Sequence, residues 1–221
     1  MLPALLSVVA GSADVISFLG LGGLFVAHIT GNLVILAAHV VVHARVGLAS
    51  MLSVPVFILV LALSRVLVAR LEDAGHTSLR PMLALQAVLL IGFLVIAVAA
   101  VSPAHPNAAA AIVAGLLGVS AMAVQNALVQ ISIRGAPSTA VMTTDITRFV
   151  MDAGEVLLGR DPATAAEARH RAAHTWPAIV GFAAGAAVGA ALYGAIGLPS
   201  LALPTGLALA SFICERWPAH R

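Results

Sequence analysis

The chain has 221 residues, 61% of them hydrophobic and 9% charged, with a formal net charge of +2. Soluble domains carry about 25% charged and about 45–50% apolar residues, so a water-exposed fold of this length would have to wear a greasy exterior. The small, unclustered basic excess excludes a nucleic-acid binder, and the single Cys214 excludes an internal disulfide or a cysteine metal cluster, which leaves lipid as the solvent that fits.

A membrane crossing needs about 20 mostly apolar residues. In chain order the sequence offers eight such stretches: Leu2–Leu19, Leu24–Val42, Leu48–Ala69, Pro81–Val101, Ala108–Ile133, Thr139–Leu158, Trp176–Ile196 and Leu198–Cys214. The first lacks a basic leader and carries Asp14, so it reads as a span rather than a signal peptide. Leu24–Val42 and Thr139–Leu158 hold polar groups in mid-run, which sets the expected count at 6–8 spans. The expected fold is an all-α polytopic membrane protein, a single transmembrane domain over 1–221.

Charge gathers between the stretches. Arg70, Glu72, Asp73, His76 and Arg80 lie in or beside one loop; Arg160, Asp161, Glu167, Arg169, His170 and Arg171 lie in the longest. With eight crossings the longest loop shares a side with Arg216 and Arg221, and the positive-inside rule makes that side cytoplasmic, with Arg70, Arg80 and Arg134 opposite. Trp176 and Trp217 stand at segment ends, where interfacial anchors sit. Gly181, Gly185 and Gly189 form a ridge at four-residue spacing, which serves helix packing inside the chain or, alternatively, a homodimer seam.

The uncharged Ser102–Asn107 stretch, which includes His105, divides the chain into two pseudo-repeats, 1–102 and 108–217. Asp14 is followed by Thr30-Gly31-Asn32; Gln125-Asn126 is followed by Thr143-Thr144-Asp145. Thr30 corresponds to Thr143, Asn32 to Asp145 and Asp14 roughly to Asn126. At helical spacing Asp145, Arg148, Asp152 and Glu155 share a face, with Arg148 in reach of Asp145 and Asp152, and Asn32, His39 and His43 share another.

Polar groups at bilayer depth are costly unless they pair or line a wet cavity, and irregular backbone is tolerated there only beside protein or a cavity. Gly20, Gly22, Gly23 and Gly31 permit such backbone, so Phe25–Thr30 is expected to be extended or broken, with a half-helix starting near Thr30–Asn32 and a second near Thr143–Asp145. Free N–H groups at those starts would face a bound group. The two starts are expected to approach each other near mid-depth. The alternative is a capped kink in the first half and an interfacial amphipathic helix in the second.

The stretches "GSADVISFLGLGGLFVAHITGN" and "VQNALVQ…TTDITR" resemble those of the YoaK-like bacterial inner-membrane proteins, a family defined as a domain of unknown function. The resemblance covers nearly the whole chain. Where that family has Gly before Met-Gln-Asn and a Thr-Gly pair downstream, this chain has Ala123, Val124 and Thr143-Thr144. It implies a polytopic protein of about six spans in the bacterial plasma (inner) membrane and no substrate.

The residue pattern favours a secondary transporter or permease for a small polar solute, with proton coupling. Asp14, Thr30, Gly31, Asn32, Gln125, Asn126, Thr143, Thr144, Asp145 and Arg148 are the candidate solute ligands, and Asp14, Asp145 and Asp152 the candidate proton carriers. A solute or ion channel, or a non-transporting scaffold or regulator, is the alternative. No catalytic residue, metal or cofactor is expected, because no His-Glu-x-x-His, Gly-x-Ser-x-Gly or Gly-Lys-Ser/Thr motif occurs. The lipid bilayer is the expected partner.

Overall fold

The computed structural model describes residues 2–43, 47–101, 108–133, 138–139, 142–159 and 161–215. Arg134, Arg160, Arg216, Arg221, Trp217 and the 102–107 joint lie outside the described residues. Among the described residues eight α-helices run in order: α1 (Leu2–Gly20), α2 (Ile29–Val41), α3 (Leu48–Asp73), α4 (Leu79–Ala100), α5 (Ala109–Ser132), α6 (Met142–Leu158), α7 (Pro162–Ile196) and α8 (Ala202–Cys214). A 3-10 turn, Leu198–Leu201, leads into α8. The described residues contain no strand.

Five helices, α1, α3, α4, α5 and α7, are long and apolar enough to cross a membrane; Leu198–Cys214 forms a shorter apolar unit, and α2 has 13 residues. α2 and α6 are built inside out. Val34 and Met151 are each 70% exposed and Leu157 86%, whereas Asn32 and Asp145 are buried. Such faces are stable against lipid, where exposed apolar area costs nothing and a polar side chain does best turned inward.

The expected break after α1 is present. Leu21–His28 is non-helical, and Gly22 and Gly23 adopt φ of 67° and 85°, a conformation that L side chains rarely take. α2 then starts at Ile29 and α6 at Met142, each at the expected Thr-containing motif. Two expectations change. Asp161–Arg171 is not a loop: Asp161 caps Ala163 and Thr164, Pro162 opens the helix, and the Ala-rich run continues into the apolar part of α7. His43 lies past the end of α2 with φ 50°, so the first-half polar face ends at His39.

Contacts fix the helix directions. Gly181 meets Ala4, Gly185 meets Val8 and Gly189 meets Ser12, so α1 and α7 run parallel. A Cβ on Gly11 would strike the Phe182 carbonyl, so the crossing is tight from both sides. The glycine ridge is therefore taken by α1 of the same chain, and a seam between two copies would need another face. α1 and α5 run antiparallel: Gln125 bonds the Leu6 carbonyl at 2.9 Å, while Gly115 lies against Leu24 and Leu21 beyond the other end of α1. α4 and α5 are antiparallel through Ser78–Ser132 (2.8 Å) and Gln86–Gln125 (2.6 Å). α4 and α8 are antiparallel through Thr205–Leu90 and Arg80–Phe212. α3 follows α5 in parallel, Ala49 lying by Gly115 and Ser64 sharing a cleft with Val124. α2 packs on α3, and α6 on α7.

Candidate functional site

After α1 the chain doubles back along the helix it has just left. Asp14, buried in α1, accepts from the backbone N–H groups of Val26 (2.8 Å), Ala27 (2.7 Å) and His28 (3.4 Å) through one carboxylate oxygen. The other oxygen lies 2.6 Å from His28 Nδ1. An extended segment has no helical partners for its N–H groups, so it can sit at this depth only if a side chain takes them. Asn32, in the first turn of α2, closes the far side. Its Oδ1 accepts from Phe25 N–H (2.9 Å), and its Nδ2 donates to Phe25 C=O (2.7 Å) and Ser53 Oγ (3.0 Å). Asp14 and Asn32 together clasp Phe25–His28 between α1 and α3.

Beside this clasp lies a cleft of about 520 Å³, lined by α1, the doubled-back segment and α7. Phe18 stacks on Phe25 with centroids 4.6 Å apart, and Phe182 meets His28 edge-on at 5.3 Å. With Nδ1 committed to Asp14, Nε2 is the ring nitrogen left to a ligand. The wall is otherwise apolar, including Val15 and Ala186, and Gly31 leaves room beside Phe25. His28, Phe18 and Phe182 were not singled out as site residues from sequence. The signal for His28 was a buried carboxylate in need of a donor next to an extended stretch containing one imidazole.

The second half repeats part of this geometry. Gln125 is buried and spends both N–H donors, on Leu6 C=O and on Thr139 Oγ1 (2.9 Å each), while its oxygen accepts from Gln86. It ties α5 to α1, to α4 and to the segment before α6. Asp145 is buried and accepts a hydrogen bond from the Ser138 backbone, but Oδ2 has no hydrogen-bond partner among the described residues. Asn126 turns back onto Met122 C=O of its own helix. Thr30, Thr143, Thr144 and Arg148 are exposed. Asp152 pairs with Arg171 of α7 (2.7 Å), not with Arg148, whose charge still acts on Asp145. The structure thus brings Asp14, Gly31 and Asn32 together with His28, and separately gathers Gln125 and Asp145 round residues 138–139. The two starts do not pack on each other: α2 sits on α3 and α6 on α7.

These features define a class: a multi-pass helical protein of membrane type whose polar side chains are turned inward onto the non-helical Leu21–His28 and onto residues 138–139. Within that class, the chain belongs to the family described as "protein of unknown function (DUF1275)", which matches residues 2–214. No curated protein and no solved structure matches it.

Proposed function

We propose that the protein is a proton-coupled secondary transporter of the bacterial inner membrane, and that its solute enters the Asp14–His28 cleft. The observation that carries this reading is a buried carboxylate on α1 paired with a partly exposed imidazole on the doubled-back segment, at the floor of an otherwise apolar cleft. Asp14 holds the backbone and orients His28. His28 Nε2 recognises a polar head, and Phe18, Phe25 and Phe182 cover an apolar body. The solute is therefore a small molecule with one polar head, narrower than the polar solute expected from the sequence.

The packing supports the duplication at 1–102 and 108–217. If α1–α4 correspond to α5–α8, the α1/α7 contact corresponds to α5/α3, α2/α3 to α6/α7, and α4/α5 to α8/α1; α4/α8 and α1/α5 map onto themselves. The antiparallel course of α1 and α5 makes the halves inverted, an arrangement common in secondary transporters. Six helices then cross, α1, α3, α4, α5, α7 and α8, while 21–41 and 138–158 enter and leave by one side each. On this course Arg65, Arg70, Arg80, Arg148, Arg169 and Arg171 all fall toward one end of the bundle, which the positive-inside rule assigns to the cytoplasm. The Asp14–His28 cleft belongs to the outer half.

The test is uptake and counterflow in proteoliposomes, using a panel of small monocarboxylates and monoamines with aliphatic or aromatic bodies, with and without a proton gradient. Saturable uptake that is accelerated by solute on the far side, and lost in His28→Gln with the fold kept, is the expected result. Flux without saturation or counterflow means a channel. No flux for any panel member from stably folded protein sinks the transporter reading.

A further inference from the structure

Asn32 and Asp145 hold the same position in their helices. Each is the fourth residue, in Ile29-Thr30-Gly31-Asn32 and in Met142-Thr143-Thr144-Asp145. Each is buried, and each accepts a backbone hydrogen bond from the residue seven places earlier, Phe25 or Ser138. They differ at the second terminal atom. Asn32 Nδ2 is a donor and uses both its hydrogens, on Phe25 C=O and Ser53 Oγ. Asp145 Oδ2 in the same role is buried without a partner among the described residues. A carboxylate oxygen can only accept, and stranding it in a buried place is costly, the more so for a charged group. A carboxylic acid, by contrast, carries one O–H donor and matches the shape of the amide.

We propose that Asp145 is a proton-binding site: in the conformation described here it is the neutral acid, its O–H donating back to the segment it clasps as Asn32 does, and loss of that proton opens the second clasp.

The electrostatic surroundings bear on this from two elements. On α6, Arg148 is exposed one turn away and favours the ionised form, while Asp152 is engaged by Arg171 and Glu155 lies further on. On α7, the helix packed against α6, Arg171 is engaged by Asp152, His170 and His174 are exposed, and Thr175–Ile196 contains no charged side chain and no imidazole. Gln125 and Thr139, beside the segment, are neutral. Among the described residues of α6, the nearest cation, Arg148, is thus on the exposed side. An ionised Asp145 gains by turning out toward Arg148, which pulls it away from Ser138. The proton goes to water by that route, and no other bond is made or broken. This assignment does not depend on a solute being carried.

The experiment is infrared difference spectroscopy on the whole chain in lipid nanodiscs, titrated from acid to alkaline pH, with thermal unfolding over the same range. At neutral pH the wild type should show a protonated-carboxyl C=O band that persists in Asp14→Asn and vanishes in Asp145→Asn. Asp145→Asn should unfold at or above the wild-type temperature. Its melting temperature should also lose the fall that the wild type shows as pH rises through the titration, a shift of about 3–5 °C for each tenfold in equilibrium. Carboxylate bands alone throughout, or an Asp145→Asn protein that melts earlier with the same pH slope, would overturn the assignment. Should that variant not fold, the carboxyl carbon shift of labelled aspartate in the wild type reports the same protonation state and decides the matter.

Discussion

Residues 25–28, before α2, and residues 138–139, before α6, are held by the same device, but the two are finished differently. Around Phe25–His28 the hydrogen bonds close: Asp14 takes three N–H groups and a ring nitrogen, and Asn32 both accepts and donates. Around 138–139 the anchor from the preceding helix is the neutral Gln125, and the residue standing where Asn32 stands is an acid with one oxygen unanswered. The first clasp spends its charge on fixing backbone beside a cleft. The second leaves a protonation state undecided by its covalent structure. One is built to stay, the other to respond.

The comparison breaks most severely at Asp14. Asp14→Ala leaves the N–H groups of Val26, Ala27 and His28 without an acceptor in apolar surroundings. At about 1–3 kcal/mol for each orphaned group, a loss of about 3 kcal/mol or more is expected, read as a shift in the SDS- or heat-unfolding midpoint of detergent-solubilised protein. His28→Gln removes only the imidazole from a half-exposed position, so its unfolding should change by less than about 1 kcal/mol while uptake is lost. Equal damage from both would mean that the pair is structural throughout.

Exchanging the two clasp residues sharpens the contrast. Asn32→Asp puts an acceptor against the Phe25 carbonyl and Ser53, and should cost about 2 kcal/mol at neutral pH. The cost should be relieved on acidification, as the introduced acid regains a donor. Asp145→Asn should cost nothing. Unfolding midpoints of both variants against pH provide the check, and identical pH profiles would remove the distinction between the clasps.

Much of this contrast was legible in the residues. Thr30-Gly31-Asn32 and Thr143-Thr144-Asp145 stood out because polar groups in apolar runs need partners, and both helices do begin there. Their partners were less legible. That Asn32 reaches Phe25, seven residues back, and Ser53, in the next helix, depends on a turn through two positive-φ glycines that periodicity does not encode. The His28–Phe182 contact depends on α1 and α7 touching, across more than 150 residues of chain. Composition found the apolar stretches but could not tell a crossing from a doubling-back. Counted as crossings, α2 and α6 scatter the arginines to both sides; on the proposed course, as segments that return, they leave the described arginines together. The glycine ridge was read for what it permits, close approach, and α1 is what approaches.

Gln125 tests the second clasp without touching its acid. Gln125→Leu strands Gln86 and removes the bonds to Leu6 and Thr139, for an expected loss of about 1–2 kcal/mol. Adding Gln86→Leu should recover most of it, since replacing both members of a buried polar pair by apolar groups of similar shape is close to neutral. Gln86 already has one unsatisfied oxygen, which favours recovery. A double variant no better than the single one would place the loss in the Leu6 and Thr139 bonds, the ties of α5 to α1 and to the second clasp.

The smallest effect lies at the starts of the helices that the two clasps lean on. α3 begins after Gly47 with no side-chain cap, whereas α7 begins with Asp161, whose carboxylate accepts from Ala163 and Thr164 N–H and from the Thr164 hydroxyl. The Thr164 hydroxyl, with those two N–H groups, holds the Asp161 carboxyl below its usual range. A depressed acid stabilises the folded form above its ordinary value, about 3.9, and that contribution is lost as pH falls through the lowered value. Amide protection at residues 163–166, taken relative to the intrinsic exchange rate at each pH, should therefore fall in acid, and in Asp161→Ala it should be low at every pH, with the unfolding midpoint of the whole chain nearly unmoved. The reason is position: α7 reaches its first buried residue only at Ala168, so its opening turns hang outside the packed bundle and are held by the cap, while α3 buries Ala49 and Ser50 at once and needs none. Acid-independent protection at 163–166 would show instead that packing against α6 carries those turns.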